Sequence, residues 1–189
     1  MWEEIVEFYK LIGRLKKTER TGWITRAGIQ NPESVAEHVF RTALISMSIA
    51  DVKKLDSEKM IRMALIHDLA ESLTGDFDRF AKKHFTVKEL NEKENEAMKK
   101  LLNFLPHELS EKYGKIWEEF QKGESEEAKM VSQIDRLELL FQALDYEKEG
   151  HDKSKLDPFW RVTKNENKIT DEDLKKIFEI LEKERTSMK

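Results

Sequence analysis

The sequence contains no cysteine, and its 189 residues include only three prolines and seven glycines. Without cysteine the chain has no disulfides, thiolate metal ligands, iron–sulfur clusters or cysteine nucleophiles, so any metal must be held by His and carboxylates. Few glycines and prolines argue against an all-β fold, which needs many tight turns. No apolar run approaches the ~18 residues of a membrane helix, and the acidic start resembles no signal peptide. We therefore expect a cytoplasmic protein that does not bind membranes.

Charge is abundant but nearly balanced. The chain has 34 Lys+Arg and 38 Asp+Glu, a net charge of −4 with His neutral, and charged residues make up 38% of it, against about 25% in globular proteins generally. A slightly acidic surface binds polyanions poorly, so we expect no nucleic-acid polymer as a partner, whereas a small phosphate ester in a local basic pocket stays possible. The length predicts a single domain, residues 1–189.

The spacing of apolar residues is helical throughout and predicts an all-α bundle of about six or seven helices. Ser34 with Glu37 and Thr86 with Glu89 form capping boxes, which mark helix starts. The stretch 150–169 reads as irregular, and Thr170 is expected to cap the last helix. The predicted helices cover approximately 2–16, 35–54, 58–73, 87–105, 107–121, 126–148 and 171–184.

Two histidines and two aspartates occur where a helical core normally places apolar side chains. His67 and Asp68 end a strongly apolar run, while His38 and Asp135 each lie in another apolar helix. A single buried His is more often a core residue, and a lone helical Asp can pair with Arg or Lys. An ionised Asp is nevertheless costly to bury unless it is paired or bound to a metal. Together the four residues suit a divalent metal with open coordination positions.

The order His38, His67-Asp68, Asp135 resembles the H…HD…D signature of the HD-domain metal-dependent phosphohydrolases. Further segments are similar to the 5′-deoxynucleotidase (YfbR-like) branch of that family, and the resemblance spans roughly residues 8–165. These segments are Arg20–Trp23 with Arg26, Pro32–His38, His67–Glu71, Thr74–Asp76 and Lys129 with Gln133–Asp135. The resemblance implies a single HD-domain helical bundle that forms a homodimer.

The resemblance also implies roles for individual residues. His38, His67, Asp68 and Asp135 would bind one divalent ion, such as Co²⁺ or Mn²⁺. Glu71 would orient or deprotonate the attacking, metal-activated water, and Asp76 would be a second essential carboxylate near the sugar and leaving group.

The remaining implied roles concern the substrate. Trp23 would wall the sugar pocket and help to exclude a ribose 2′-OH. Arg20 and Arg26 flank Trp23, and either could hold the phosphate as a bidentate donor.

The sequence thus predicts a phosphoric monoester hydrolase that converts deoxyribonucleoside 5′-monophosphates to deoxynucleosides and phosphate. Two alternatives stay open. One is another HD phosphohydrolase, acting on a cyclic nucleotide, guanosine tetraphosphate or a dNTP, and the other is a non-catalytic, metal-stabilised helical binding module. The presence of both Glu71 and Asp76 favours an enzyme, because a binding module needs neither.

Several other residues carry weaker expectations. Arg41 pairs with a site carboxylate or with substrate, and Glu127 receives no role. Phe77 and Phe80 would border a segment that covers the site. Three histidines are expected on the surface: His84, His107 and His151. Three tryptophans are expected in the core or at an interface: Trp2, Trp117 and Trp160.

Overall fold

A computed structural model describes residues 1–77 and 86–188 of the chain. The described part is helical, without strands, and confirms the all-α fold class. It contains nine α-helices: α1 Trp2–Ile12, α2 Val35–Lys53, α3 Ser57–Ile66, α4 Glu71–Thr74, α5 Val87–Leu102, α6 His107–Lys122, α7 Glu126–Lys148, α8 Lys153–Asn165 and α9 Glu172–Ser187. A 3₁₀ turn, Gly13–Lys16, follows α1, and a π-helical turn, Trp23–Ala27, precedes α2.

The helix starts follow the capping chemistry of the sequence. Both predicted capping boxes are present, with the Ser34 amide donating to Glu37 Oε2 at 2.6 Å and the Thr86 amide to Glu89 Oε2 at 2.7 Å. The last helix is an exception, because Asp171 rather than Thr170 caps it. The Thr170 amide instead donates to Gln133 Oε1 at 2.6 Å, which ties the start of α9 to α7.

Two differences raise the helix number above the predicted six or seven. The stretch 153–165, expected to be irregular, forms α8, which buries Leu156, Phe159, Trp160 and Thr163 at helical spacing. Pro158 lies inside this helix and disguises it, because proline normally ends a helical pattern. The predicted helix 58–73 is interrupted at 67–70, which separates α3 from α4.

Helix α7 lies at the centre of the fold and contacts α2, α3, α6, α8 and α9. Its Val131, Ile134, Leu137 and Leu140 are fully buried in the larger of two apolar clusters. The smaller cluster joins α1, α5 and α6, and it includes Phe8, Leu101 and Trp117. Because α2, α3 and α7 pack against one another, the polar residues that face inward from these helices meet at one place. In the described part of the chain no helix is both long enough and apolar enough to cross a bilayer.

Candidate active site

The two histidines and two aspartates singled out in the sequence come together between α2, α7 and the end of α3. His38 Nε2 lies 3.0 Å from Asp135 Oδ1 and 3.6 Å from Asp68 Oδ2. His67 Nε2 lies 3.3 Å from Asp68 Oδ2 and 3.8 Å from Asp135 Oδ1. The chain leaves the α-helix at this point, since the Leu69 amide bonds to Ile66 O and the Glu71 amide to Asp68 O. This tight turn places the adjacent His67 and Asp68 side chains at one point.

The donor set fits a divalent cation. Ligand atoms of His38, His67 and Asp135 all lie within 4.8 Å of one another. Both Nε2 atoms are buried, and neither has a hydrogen-bond partner among the described residues. Buried polar atoms are nearly always hydrogen-bonded, so two such nitrogens facing two carboxylates form an N/O set of the kind that binds transition-metal ions.

The charges around the cluster favour positive charge at its centre. Burial and the charge of Arg20 both lower the pKa of His38. The carboxylates of Glu138 and Asp135 outweigh them and raise this pKa to about 9. Burial would raise the pKa of Asp135, but His38 and His67 hold it well below its ordinary value. Carboxylates that stabilise a proton on a histidine also stabilise a cation in its place, so metal and protons compete here.

Arg20 lies against the metal-ligand candidates. Its NH1 is 3.2 Å from Asp68 Oδ2, and both side chains are only 16% exposed. Burial alone would lower the pKa of this arginine, but the charges of Asp68, Asp76 and Asp135 raise it. The guanidinium therefore stays charged beside the cluster.

Glu71 begins α4, and its side chain points into the same cavity. Burial, together with the charges of Asp68 and Asp76, raises its pKa well above the ordinary value of a carboxyl. Its Oε2 atom is buried without a hydrogen-bond partner among the described residues. A carboxyl with a raised pKa can exchange a proton near neutral pH, which is the property that general acid–base catalysis requires.

Asp76 is held by the segment that precedes the π-helical turn. The Thr21 amide and hydroxyl both donate to Asp76 Oδ2, the hydroxyl at 2.8 Å, and the hydroxyl also lies 3.1 Å from the Asp76 carbonyl oxygen. These bonds join residues 20–23 to the end of α4. Arg20, Glu71 and Asp76 consequently border one cavity.

Trp23 forms a rigid wall of that cavity. Only 1% of the residue is exposed, its Nε1 donates to Glu33 Oε1 at 3.0 Å, and its ring lies 4.5 Å from that of Phe159. Arg26 lines the same cavity, with its guanidinium 5.7 Å from the centre of the Phe159 ring. Arg20 is thus next to the metal-ligand candidates, whereas Arg26 is next to the aromatic wall.

The cavity has a volume of about 430 Å³, within the roughly 300–1,000 Å³ typical of small-molecule sites. Eight of the nine predicted site residues line it, and the exception is His38, which lies behind the other metal-ligand candidates. The lining residues at the polar end are Arg20, Trp23, Arg26, His67, Asp68, Glu71, Asp76, Asp135 and Arg136.

Comparison with known proteins decides the family. A family model described as "HD domain" matches residues 12–178. This chain belongs to the HD domain family. The human 5′-deoxynucleotidase HDDC2 is 36% identical over 186 residues, which cover 97% of this chain and 87% of that protein. The Dictyostelium discoideum 5′-deoxynucleotidase HDDC2 is 37% identical, covering 84% and 87% respectively. A solved conserved hypothetical protein from Pyrococcus furiosus superimposes with a TM-score of 0.77 at 30% identity, covering 94% of this chain and 99% of that one.

Three polar residues of this HD domain were missed in the sequence. Glu138 accepts a hydrogen bond from His38 Nδ1, Glu33 accepts from Trp23, and Arg136 lines the cavity. Glu138 had a signal, because it lies three residues beyond Asp135 on the same face of the helix. Arg136 had no such signal, because adjacent residues of a helix do not share a face. Glu33 had none, because its contact depends on how the loop before α2 folds back on the π-helical turn.

The weaker expectations for this HD domain have mixed outcomes. Arg41 pairs with Glu138, a carboxylate behind His38, and Glu127 pairs with Lys59 at 3.1 Å. His107 and His151 are exposed as expected.

Two of the three tryptophans are buried in the core, Trp117 and Trp160. Trp2 is 70% exposed, so it lies outside the core, and its place in an interface stays a prediction. Phe77 lines the cavity, whereas Phe80 and His84 lie outside the described residues.

Proposed function

We propose that this HD domain is a metal-dependent 5′-deoxynucleotidase, which converts deoxyribonucleoside 5′-monophosphates to deoxynucleosides and phosphate. The observation that carries the proposal is the convergence of His38, His67, Asp68 and Asp135 beside the Arg20 guanidinium at one cavity. The names of the relatives, 5′-deoxynucleotidases in animals, amoebae and yeasts, support the choice of substrate.

His38, His67, Asp68 and Asp135 would hold the divalent ion. Such an ion, when bound, lowers the pKa of a coordinated water and neutralises phosphate charge. The lining of the cavity explains why that contribution matters. Four carboxylates and three arginines line it, so a divalent cation would offset the carboxylate charge that a phosphate dianion meets there.

Arg20 is the arginine that we assign to the phosphate. Its guanidinium lies 3.2 Å from Asp68, so a phosphate beside the metal-ligand candidates is within reach of its remaining donors. A planar guanidinium suits two phosphate oxygens at once. Arg26, over the Phe159 ring, would contact a part of the substrate that lies against this ring.

Glu71 and Asp76 would handle protons at opposite ends of the reaction. The raised pKa of Glu71 suits a group that orients the nucleophilic water and accepts its proton. Asp76, fixed by Thr21, would face the sugar and the leaving 5′-oxygen. The buried Trp23 ring, fixed by Glu33, would limit space beside the sugar and so disfavour a ribose 2′-OH.

A panel of phosphate-release assays tests the proposal. We expect phosphate from dAMP, dGMP, dCMP or dTMP with Co²⁺ or Mn²⁺, much less from the ribonucleotides, and none after chelation. His67→Ala should abolish turnover, whereas His151→Ala, which changes an exposed histidine, should not. Absence of turnover for every deoxynucleotide across the metal panel would refute the proposal.

The same panel separates the alternatives. Turnover of dNTPs, cyclic nucleotides or guanosine tetraphosphate with no turnover of monophosphates would assign the chain to another branch of HD phosphohydrolases. Metal binding without turnover of any of these compounds would support the binding module.

We also propose a cytoplasmic homodimer, as the resemblance implies. Sedimentation equilibrium tests the assembly, because a dimer has twice the 22.4 kDa mass of the chain. Cell fractionation tests the location.

A further inference from the structure

Glu138 is a buried carboxylate whose position demands a physical reason. It lies on α7 three residues after Asp135, its side chain is fully buried, and it accepts a hydrogen bond from His38 Nδ1. A buried ionised carboxylate is costly unless it is paired and hydrogen-bonded. Both of its oxygens are therefore expected to have partners.

Arg41 supplies the second partner. Its Nε donates to Glu138 Oε1 at 2.8 Å, while NH2 donates to Gln142 Oε1 at 2.6 Å and NH1 to Asp145 Oδ2 at 2.7 Å. All three acceptors are on α7, and Arg41 is one turn beyond His38 on α2. The contacts hold the two helices together at the place where one supplies His38 and the other Asp135.

The hydrogen bond also determines which nitrogen of His38 is free. A carboxylate at Nδ1 requires a proton on that nitrogen, so the Nε2 lone pair of the neutral ring faces Asp135 and His67. His67 has a different arrangement, because its Nδ1 lies 2.7 Å from the Ala64 carbonyl oxygen. One candidate ligand is thus backed by a charged group and the other by a neutral one.

We propose that Glu138, held by Arg41, is a positioning residue that fixes the Nδ1–H tautomer and the ring orientation of His38 and thereby strengthens it as a metal ligand. The inference rests on the proposed metal-dependent function. Carboxylates that accept from a metal-ligating histidine typically contribute 10–100-fold to metal affinity.

The substitution Glu138→Gln tests this role with almost no change of shape. A glutamine has one acceptor and one donor end, and Arg41 requires the acceptor. The NH₂ end would then face His38 Nδ1 and favour the tautomer with the proton on Nε2, which cannot ligate. We expect the Kd for Mn²⁺ or Co²⁺, measured by titration calorimetry, to rise roughly 10–100-fold.

Glu147→Gln is a matched control. Glu147 is also on α7, its side chain is fully buried, and it accepts from Arg185 Nε at 2.8 Å, but it has no contact with the four ligand candidates among the described residues. We expect this variant to keep the wild-type Kd for the metal. The ¹⁵N chemical shifts of His38 in the metal-free proteins, recorded above pH 9 where the ring is neutral, give a second readout, because the protonated nitrogen should change only in Glu138→Gln.

The proposed function and the role of Glu138 are refuted by different results. If the wild-type chain binds neither metal, the proposed function fails. If it binds metal and Glu138→Gln binds equally tightly, the role of Glu138 is refuted.

If Glu138→Gln does not fold, the variant Arg41→Lys tests the same role, because lysine keeps the charge but cannot bind three acceptors in the plane of a guanidinium. A several-fold weaker Kd supports the inference, and an unchanged Kd overturns it.

Discussion

Binding of a divalent cation should stabilise the folded chain. The candidate ligands lie on α2, on the turn after α3 and on α7, segments far apart in the sequence that only folding brings together. A cation that binds only the folded state stabilises it by about 2.7 kcal/mol at a concentration of 100 Kd. In a domain of this size about 1 kcal/mol corresponds to 2–4 °C, so the midpoint Tm should rise by roughly 5–11 °C.

Thermal unfolding followed by circular dichroism measures this shift, with Mn²⁺, Co²⁺ or EDTA present. Asp135→Ala should reduce the metal-dependent part of the shift, because it removes an oxygen 3.0 Å from His38 Nε2. Asp173→Ala, which removes a half-exposed carboxylate paired with Lys53 and Lys176, should leave it unchanged. An equal shift in wild type and Asp135→Ala would refute the assignment of the site.

Three further predictions follow from individual contacts. Glu71→Gln should lower kcat by roughly 10²–10⁴-fold while the Kd for the metal changes little, as kinetics and calorimetry would determine; an unchanged kcat would contradict the role of this carboxyl. Thr21→Val removes a hydroxyl that donates to Asp76 at 2.8 Å. A hydrogen bond to a charged group contributes about 1.5–3 kcal/mol, so Tm should fall by several degrees, and an unchanged Tm would contradict it. Burial, together with the charge of Glu138, raises the pKa of Glu33 from 4.5 to about 7. The unfolded chain therefore releases this proton at a lower pH than the folded chain does. The stability of the wild type falls as the pH rises from about 4.5 to about 7. Relative to the wild type, the free energy of unfolding of Glu33→Gln should increase by up to roughly 3 kcal/mol as the pH rises between these values. Parallel curves of unfolding free energy against pH for the two proteins would contradict this.

Much of the fold could be predicted because its determinants are local. Ser34 and Thr86 start helices through bonds to residues three positions away, and such patterns are visible in the sequence. Helix α8 was missed because Pro158 breaks the pattern that its buried Leu156 and Trp160 would otherwise reveal. The gap between α3 and α4 was missed because the apolar spacing continues through the turn at His67.

The candidate site also contains residues that the sequence reveals and residues that it does not. His38, His67, Asp68 and Asp135 could be selected because polar residues on apolar helix faces are conspicuous, and because their order resembles a known signature. The choice between Arg20 and Arg26 could not be made, since it depends on how the loop before α2 folds across the cavity. The link from Arg41 through Glu138 to His38 joins α2 to α7, and no local pattern indicates which residues of two distant helices face each other.

The central claim is that the cluster of His38, His67, Asp68 and Asp135 supports phosphate monoester hydrolysis. Its most direct measurement is the rate of phosphate release from dAMP as Mn²⁺ or Co²⁺ is titrated into chelator-treated protein. Our account predicts no release without metal, a rate that saturates with metal concentration in the wild type, and no release at any concentration in His67→Ala. Equal rates in the wild type and His67→Ala, or no release from the wild type with either metal, would contradict it.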